Sequence, residues 1–275
     1  RQFLDRPAIF SSQFDMVAGL PSPVGAYALA AQRHMYEFGS NKESLAEIAV
    51  AARNWAKLNP NAYKKDNLTI DDVVNSQPIC SPLNKLDCCL VTDGGAAIVM
   101  TRSDRAKDTK NTPIYLLGAA MEHHHRMISE MPDLVRTSAL ESGKRAFEMS
   151  GYKPSDMDTI QLYDAFTINT LLFLEDLGFC SKGEAKELVK NNNIGPSGNL
   201  KVNTNGGGLS CVHPGMYGLF VTLEALRQLR NSSGDDVGQR LDGGWIDNAK
   251  LSVAHGNGGV LSSQVTNIWG VSETI

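Results

Sequence analysis

The chain has 275 residues, with 26 basic and 30 acidic side chains, a formal net charge of −4 and 42% hydrophobic residues. That balance excludes a disordered chain, a collagen-like repeat and a disulfide scaffold, and the length suffices for a sizeable core. The mild acidity gives no electrostatic reason to expect nucleic acid, and no run of about 18 apolar residues is present to cross a membrane.

The first 25 residues read as loop, punctuated by Pro7, Pro21 and Pro23. Tyr27, Ala30, His34 and Phe38 fall at helical spacing, and Gly39 stops that helix. Leu45, Ile48, Ala52 and Trp55 give a second helix, ending before Asn59-Pro60, and residues 68–74 a short third one capped by Thr69. Residues 88–100 are nearly continuous small and apolar side chains, expected to form a buried strand pair around a small-residue turn. A polar link over 103–110 precedes a strand over 114–121 and a long helix over 134–150. Then come a strand over 160–163, helices over 166–177 and 184–192, a glycine loop at 205–208 and a helix over 214–229. Strands over 251–255 and 260–269 close the chain. Alternating strands and helices predict an α/β class, divided near residues 103–112.

Cys80, Cys88, Cys89, Cys180 and Cys211 are an odd set with no CxxC spacing. They suit reduced thiols in a cytoplasmic setting better than disulfides or a structural zinc site. Arg1 opens the chain with no leader after it, which suggests a processed or cut chain rather than a secretory precursor.

Three segments can carry chemistry. In Asn205-Gly206-Gly207-Gly208-Leu209-Ser210-Cys211-Val212-His213-Pro214-Gly215, glycines permit close backbone approach. His213 is expected at a helix N-terminus, where its neutral form suits a base; a tight packing turn is the competing reading. In Ala254-His255-Gly256-Asn257-Gly258-Gly259, backbone N–H groups after a strand can form an oxyanion hole, or simply a hairpin turn. In Tyr163-Asp164-Ala165-Phe166, Asp164 reads as a helix cap and places Tyr163 at the carboxyl end of a strand. His123-His124-His125 resembles a metal tract, but only alternate residues share a strand face, so we expect no metal. Cys88 and Cys89 read as core thiols.

These three segments, in this order, resemble the C-terminal part of the thiolase superfamily. The strand-like Asp87-Cys88-Cys89-Leu90-Val91-Thr92-Asp93-Gly94-Gly95-Ala96-Ala97 and Leu174-Glu175-Asp176-Leu177-Gly178-Phe179-Cys180 resemble its sterol-carrier-protein-thiolase subgroup. The resemblance implies a five-layer αβαβα fold of two similar halves. Residues 1–102 would be the loop region and end of a partial first half, 103–112 a linker and 113–275 a complete second half. It implies a homodimer acting on acyl-CoA, with coenzyme A as substrate, no permanently bound cofactor, and a possible small zinc-ribbon/OB-fold partner subunit.

Residue by residue, His213 matches the histidine that activates the family's nucleophilic cysteine, which would fall outside this chain. Gly256 and Gly258, with Asn257 between them, match the turn near the reacting carbonyl, and Gly207, Gly208, Pro214 and Gly215 match the substrate loop. Where thiolases carry a second cysteine this chain has Ala254 or, with a one-residue slip, His255. Tyr163 is similar to the tyrosine of thiolase-like aldolases, which carry a further tyrosine at the position of His213. The implied activity is acyl transfer between CoA and a 3-oxoacyl-CoA, with retro-aldol cleavage of a 3-hydroxyacyl-CoA and a non-catalytic acyl-CoA-binding subunit as alternatives.

Overall fold

The computed structural model describes residues 13–275; the rest of the loop expected at the N-terminus lies outside them. Helix α1 (Pro23–Phe38) starts about one turn before Tyr27, the first residue of its apolar spacing. Pro23 takes the first helical position, where no N–H is needed, and Gly39 closes the helix at φ 69° by donating to the Met35 carbonyl. In α2 (Lys42–Leu58) the Asn41 side chain accepts the Ser44 N–H at 2.9 Å, and Leu45, Ile48, Ala52 and Trp55 form the buried face. The short α3 (Ile70–Val74) carries a capping box between Thr69 and Asp72. A small antiparallel pair, β1 (Pro78–Cys80) and β2 (Leu83–Asn84), and α4 (Ser103–Ala106) lead into the main sheet.

That sheet contains β3 (Tyr115–His123), β4 (Thr159–Leu162), β5 (Leu251–Gly258) and β6 (Ser263–Gly270), in the order β3-β6-β5-β4. Only β4 and β5 are parallel. Between the strands lie α5 (Ala139–Ser150), α6 (Thr167–Asp176), α7 (Ala185–Leu188) and α8 (Gly218–Ser232). Helix α6 is buried along its whole length, so it must be covered on every side; α1, α2, α5 and α7 pack around it. Side chains alternate across the sheet. From β5, His255 meets Phe173 of α6 at a ring separation of 4.6 Å. From neighbouring β4, Gln161 points the other way and bonds Thr204, which bonds Glu224 of α8. The sheet is thus a layer between α5 and α6 on one face and α8 on the other, the α/β layering expected.

Four expectations need correction. Residues 88–100 form no strand pair: Cys89, Leu90 and Thr92 donate to the carbonyls of Ala165, Gly208 and His213, wrapping the loops at the sheet's end. Val91 and Val99 are 98% and 94% exposed, so apolar composition here does not mean burial. The long helix begins at Ala139, after a separate 3-10 turn at Ile128–Glu130. The helix over 184–192 breaks after Leu188, where Asn191 sits at φ 57°. Finally, Gly256 and Gly258 belong to β5, opposite Val265 and Ser263, and the turn falls at residues 259–262.

Candidate active site

The cleft lies where two parallel strands stop being neighbours. The last link between them is the Tyr163 N–H donating to the His255 carbonyl at 3.0 Å. Beyond it β4 turns away, while β5 continues to Gly258 paired only with β6. The opening is beyond the carboxyl ends of both strands, the place α/β sheets put their ligands. It has a volume of about 970 Å³, and its walls include Cys89, Tyr163, Phe166, His213, Asn257 and Gly258. Pro214, Gly215 and the approach to α8 complete the rim.

The glycine loop forms one wall from behind. Gly206 and Gly207 adopt φ 103° and 65°, which side chains resist. A Cβ on Gly206 would stand 2.6 Å from Ala56 Cβ of α2, and one on Gly207 would stand 2.0 Å from Asp164 Oδ2. The reason for the second close approach is the anchor itself. Asp164 is fully buried and accepts the N–H groups of Gly208 at 2.6 Å and Leu209 at 3.4 Å. It therefore holds a π-helical turn over Gly207–Cys211 rather than capping α6, whose start has no side-chain cap. Burial pushes its carboxyl up to about 7, against the lowering effect of those N–H groups. Asn205 Oδ1 accepts from the Gly207 N–H at 2.8 Å and the Tyr217 hydroxyl at 3.1 Å, tying the loop to the residue before α8.

This loop delivers His213. Its backbone is pinned to residue 92: the His213 N–H donates to Thr92 Oγ1 at 3.0 Å, and the Thr92 N–H returns to the His213 carbonyl. The ring lies edge-on to Tyr163, 5.5 Å between centroids, and at 28° to Tyr217. Its Nε2 is buried and has no hydrogen-bond partner. Burial holds the imidazolium below the usual histidine range, so at neutral pH the ring is a neutral base. The helix N-terminus expected to do this is elsewhere, since α8 begins at Gly218. Tyr163 is the complementary group: burial raises its phenol further above neutrality, so it holds its proton. Cys89 packs against the core, as expected, and also lines the same cleft, where burial, with Asp164 nearby, pushes its thiol up to about 12. It is a thiol, not a thiolate.

His255 is not brought into the cleft. It is fully buried, with Nδ1 on Thr266 Oγ1 and Nε2 on Gln264 Oε1, both at 2.9 Å, and burial lowers its pKa to about 4. Both ring nitrogens are occupied, so at the position where thiolases carry a second cysteine His255 has no free atom to offer a substrate. Nor do Gly207, Gly208 and Gly256 line the opening; Asn257, Gly258, Pro214 and Gly215 do. His255 reaches the cleft only indirectly. Gln264 donates to Asn257 Oδ1 at 2.8 Å, and Asn257 Nδ2 donates to the Tyr27 hydroxyl at 2.8 Å. Tyr27 and the Asp164 anchor are the site residues that sequence reasoning missed. The Asp164 segment was visible, but a local cap and a long-range anchor look alike in sequence; the Tyr27–Asn257 bond links residues 230 apart. The three neighbouring histidines disperse, His123 to Ser263, His124 to Glu141 and His125 to the Val260 carbonyl.

Residues 120–271 match the family described as thiolase C-terminal domain-like. An acetyl-CoA acetyltransferase of Methanothermobacter thermautotrophicus is 31% identical over 88% of this chain and 62% of its own length. A 17-hydroxy-3-oxo-4-pregnene-20-carboxyl-CoA lyase of Mycobacterium tuberculosis is 38% identical over 82% of this chain and 60% of its own. The chain thus spans about three fifths of the length of these curated relatives. Among solved structures, the Ltp2-ChsH2(DUF35) aldolase superposes with a TM-score of 0.87 at 30% identity, covering 98% of this chain and 69% of that one. Human mitochondrial 3-ketoacyl-CoA thiolase shares the fold at a TM-score of 0.64 and 16% identity, over 90% of this chain and 59% of that one. The chain belongs to the thiolase family, in the sterol-carrier-protein-thiolase-like branch that includes steroid side-chain-cleaving aldolases.

Proposed function

We propose that this chain makes or breaks a carbon–carbon bond next to a CoA thioester, by aldol chemistry on a 3-hydroxyacyl-CoA. The observation that carries the reading is the pair in the cleft: a neutral imidazole with a free Nε2 beside a phenol that keeps its proton. In the cleavage direction His213 takes the proton of the 3-hydroxyl. The carbon–carbon bond between C2 and C3 breaks, a carbonyl compound leaves, and the electron pair becomes the thioester enolate. Tyr163 returns a proton to C2, giving the shortened acyl-CoA. The exposed edge of β5 at Gly258 is where backbone groups meet the developing oxyanion. Coenzyme A is the carrier of the substrate, no resident cofactor is invoked, and the working unit is a homodimer joined by a second subunit. The last point is supported by relatives named as the Ltp2-ChsH2(DUF35) aldolase and as a benzoylsuccinyl-CoA thiolase subunit, BbsB, of Thauera aromatica.

The second reading is thiolytic acyl transfer. It is favoured by the same free Nε2, which can deprotonate a thiol as readily as an alcohol, and by the acetyl-CoA acetyltransferase relative. The two separate cleanly. With a 3-hydroxyacyl-CoA alone, the aldol reading expects a shortened acyl-CoA and a carbonyl product, with no change in intact protein mass. Cleavage only of a 3-oxoacyl-CoA, dependent on free CoA and accompanied by an acyl adduct on a cysteine, replaces it with acyl transfer.

A further inference from the structure

Beside the cleft lies a second chamber of about 360 Å³, and the two share Ser22, Pro23 and Gly259 in their walls. Its size is at the lower end of what holds a compact apolar ligand. Leu20, Met127, Ile128 and Val260 make its surface largely apolar. Four side chains break that pattern, Asp15, Ser22, Arg126 and Ser262, and of these only Asp15 carries a buried oxygen without a hydrogen-bond partner. Asp15 lines the chamber, is 5% exposed, and its Oδ1 is buried without any hydrogen-bond partner. Leaving a buried carboxyl oxygen unpaired is expensive, and such an orphan signals a missing partner. Nothing in the catalytic account uses it.

We propose that this chamber receives the end of the acyl group remote from the thioester, and that Asp15 accepts a hydrogen bond from a hydroxyl carried there. The favoured substrates are then extended hydrophobic acyl-CoAs with a distal hydroxyl, and Asp15 is a specificity-determining residue, distant from the reacting atoms. The proposal rests on the acyl-CoA reading of the cleft and adds the chemistry at the far end. The diphosphate of coenzyme A offers no donor to an accepting carboxyl oxygen. Coenzyme A itself offers other donors, the pantetheine amides and hydroxyl and the nucleotide's hydroxyl and amino groups, and the free CoA arm of the experiment separates them.

The test uses binding, not turnover, by calorimetry on the purified protein. The probes are medium-chain ω-hydroxyacyl-CoAs, their alkyl counterparts of equal length, and free CoA; none carries the 3-substituent needed for reaction. The wild type should bind the best-fitting hydroxylated thioester about tenfold more tightly than its alkyl counterpart. Asp15→Leu, checked for an unchanged circular dichroism spectrum and melting curve, should abolish that preference. Asp15→Asn, which keeps an accepting oxygen, should retain part of it. Equal affinities in the wild type at every length overturn the proposal, as does an undiminished preference in Asp15→Leu. An equal loss of free CoA affinity in Asp15→Leu also overturns it, assigning Asp15 to a donor of coenzyme A itself. If neither thioesters nor CoA bind the wild type, the acyl-CoA reading itself fails, and this inference with it.

Discussion

His213 lines the cleft and His255 is buried in the sheet behind it, and they are used in opposite ways. Both are histidines in glycine-bearing segments, and burial lowers the pKa of both. Around His255 every polar atom is answered: Thr266 and Gln264 hold its two nitrogens, Ser142 holds Thr266, and Asn257 holds Gln264. Around His213 the backbone is pinned, the ring is flanked by tyrosines and the residue lines the cleft, but its buried Nε2 is left without a partner. The contrast teaches that burial alone does not mark a reactive histidine. A buried group whose hydrogen bonds are complete is structure, and one whose position is fixed while its reactive atom is free is poised for a substrate.

The largest expected effect is on turnover. His213→Ala should lower kcat by about 10³-fold, the usual scale of a lost general base, while costing under ~1 kcal/mol of stability, because its Nε2 has no bond to lose. Tyr163→Phe should lower kcat by about 10²-fold with KM little changed, read from the same steady-state curves. His255→Ala should do the reverse. It removes one partner from each of Thr266 and Gln264 and opens a cavity, costing ~3 kcal/mol in denaturant unfolding, with kcat reduced less than tenfold. If the His255 variant lost turnover as the His213 variant is expected to, the distinction between the two would collapse.

The pH dependence sharpens the comparison further. His255 has its pKa lowered to about 4, so the unfolded chain binds more protons below the ordinary histidine value near 6.5. Its contribution is complete above that value and is lost as pH falls towards 4. Asp164 has its pKa raised to about 7 from 3.8, so the folded chain binds more protons between those values. Its contribution is complete below 3.8 and is lost as pH rises to 7. In the shared window the two oppose each other. Asp164→Asn should therefore make stability rise more steeply between pH 4.5 and 6.5 than in the wild type, by ~2 kcal/mol over that interval. Parallel profiles for the two proteins would show that Asp164 is charged in the fold. The smallest effect is a remote control: Thr69→Ala removes the cap of α3 and should cost ~1 kcal/mol, with kinetics unchanged.

Much of this arrangement was legible in the sequence, and what was not shares one cause. Helices α1 and α2 announce themselves by apolar residues at helical spacing and by their caps, although α2 is buried on more than one side. The order of the tyrosine, glycine-histidine and C-terminal glycine segments pointed to the thiolase fold, and the structure brings Tyr163 and His213 together. Residues 88–100 misled because small apolar side chains signal a buried strand only where backbone partners exist, and theirs are loops around the cleft. His255 could not be placed because Ala254 and His255 face opposite sides of β5, and a one-residue difference in register exchanges the two faces; both side chains are buried behind the cleft. Asp164 was misassigned because its partners, Gly208 and Leu209, are distant in the chain. Local grammar was readable; the destinations of long-range hydrogen bonds were not.

The most direct test of the central claim is a single turnover of a 3-hydroxyacyl-CoA in heavy water, followed by mass analysis of the shortened acyl-CoA and of the protein. The account predicts one deuterium at C2 of the product, an unmodified protein, and loss of that product in His213→Ala and Tyr163→Phe but not in His255→Ala. An acyl group covalently held on a cysteine, or undiminished product from the His213 variant, would contradict it.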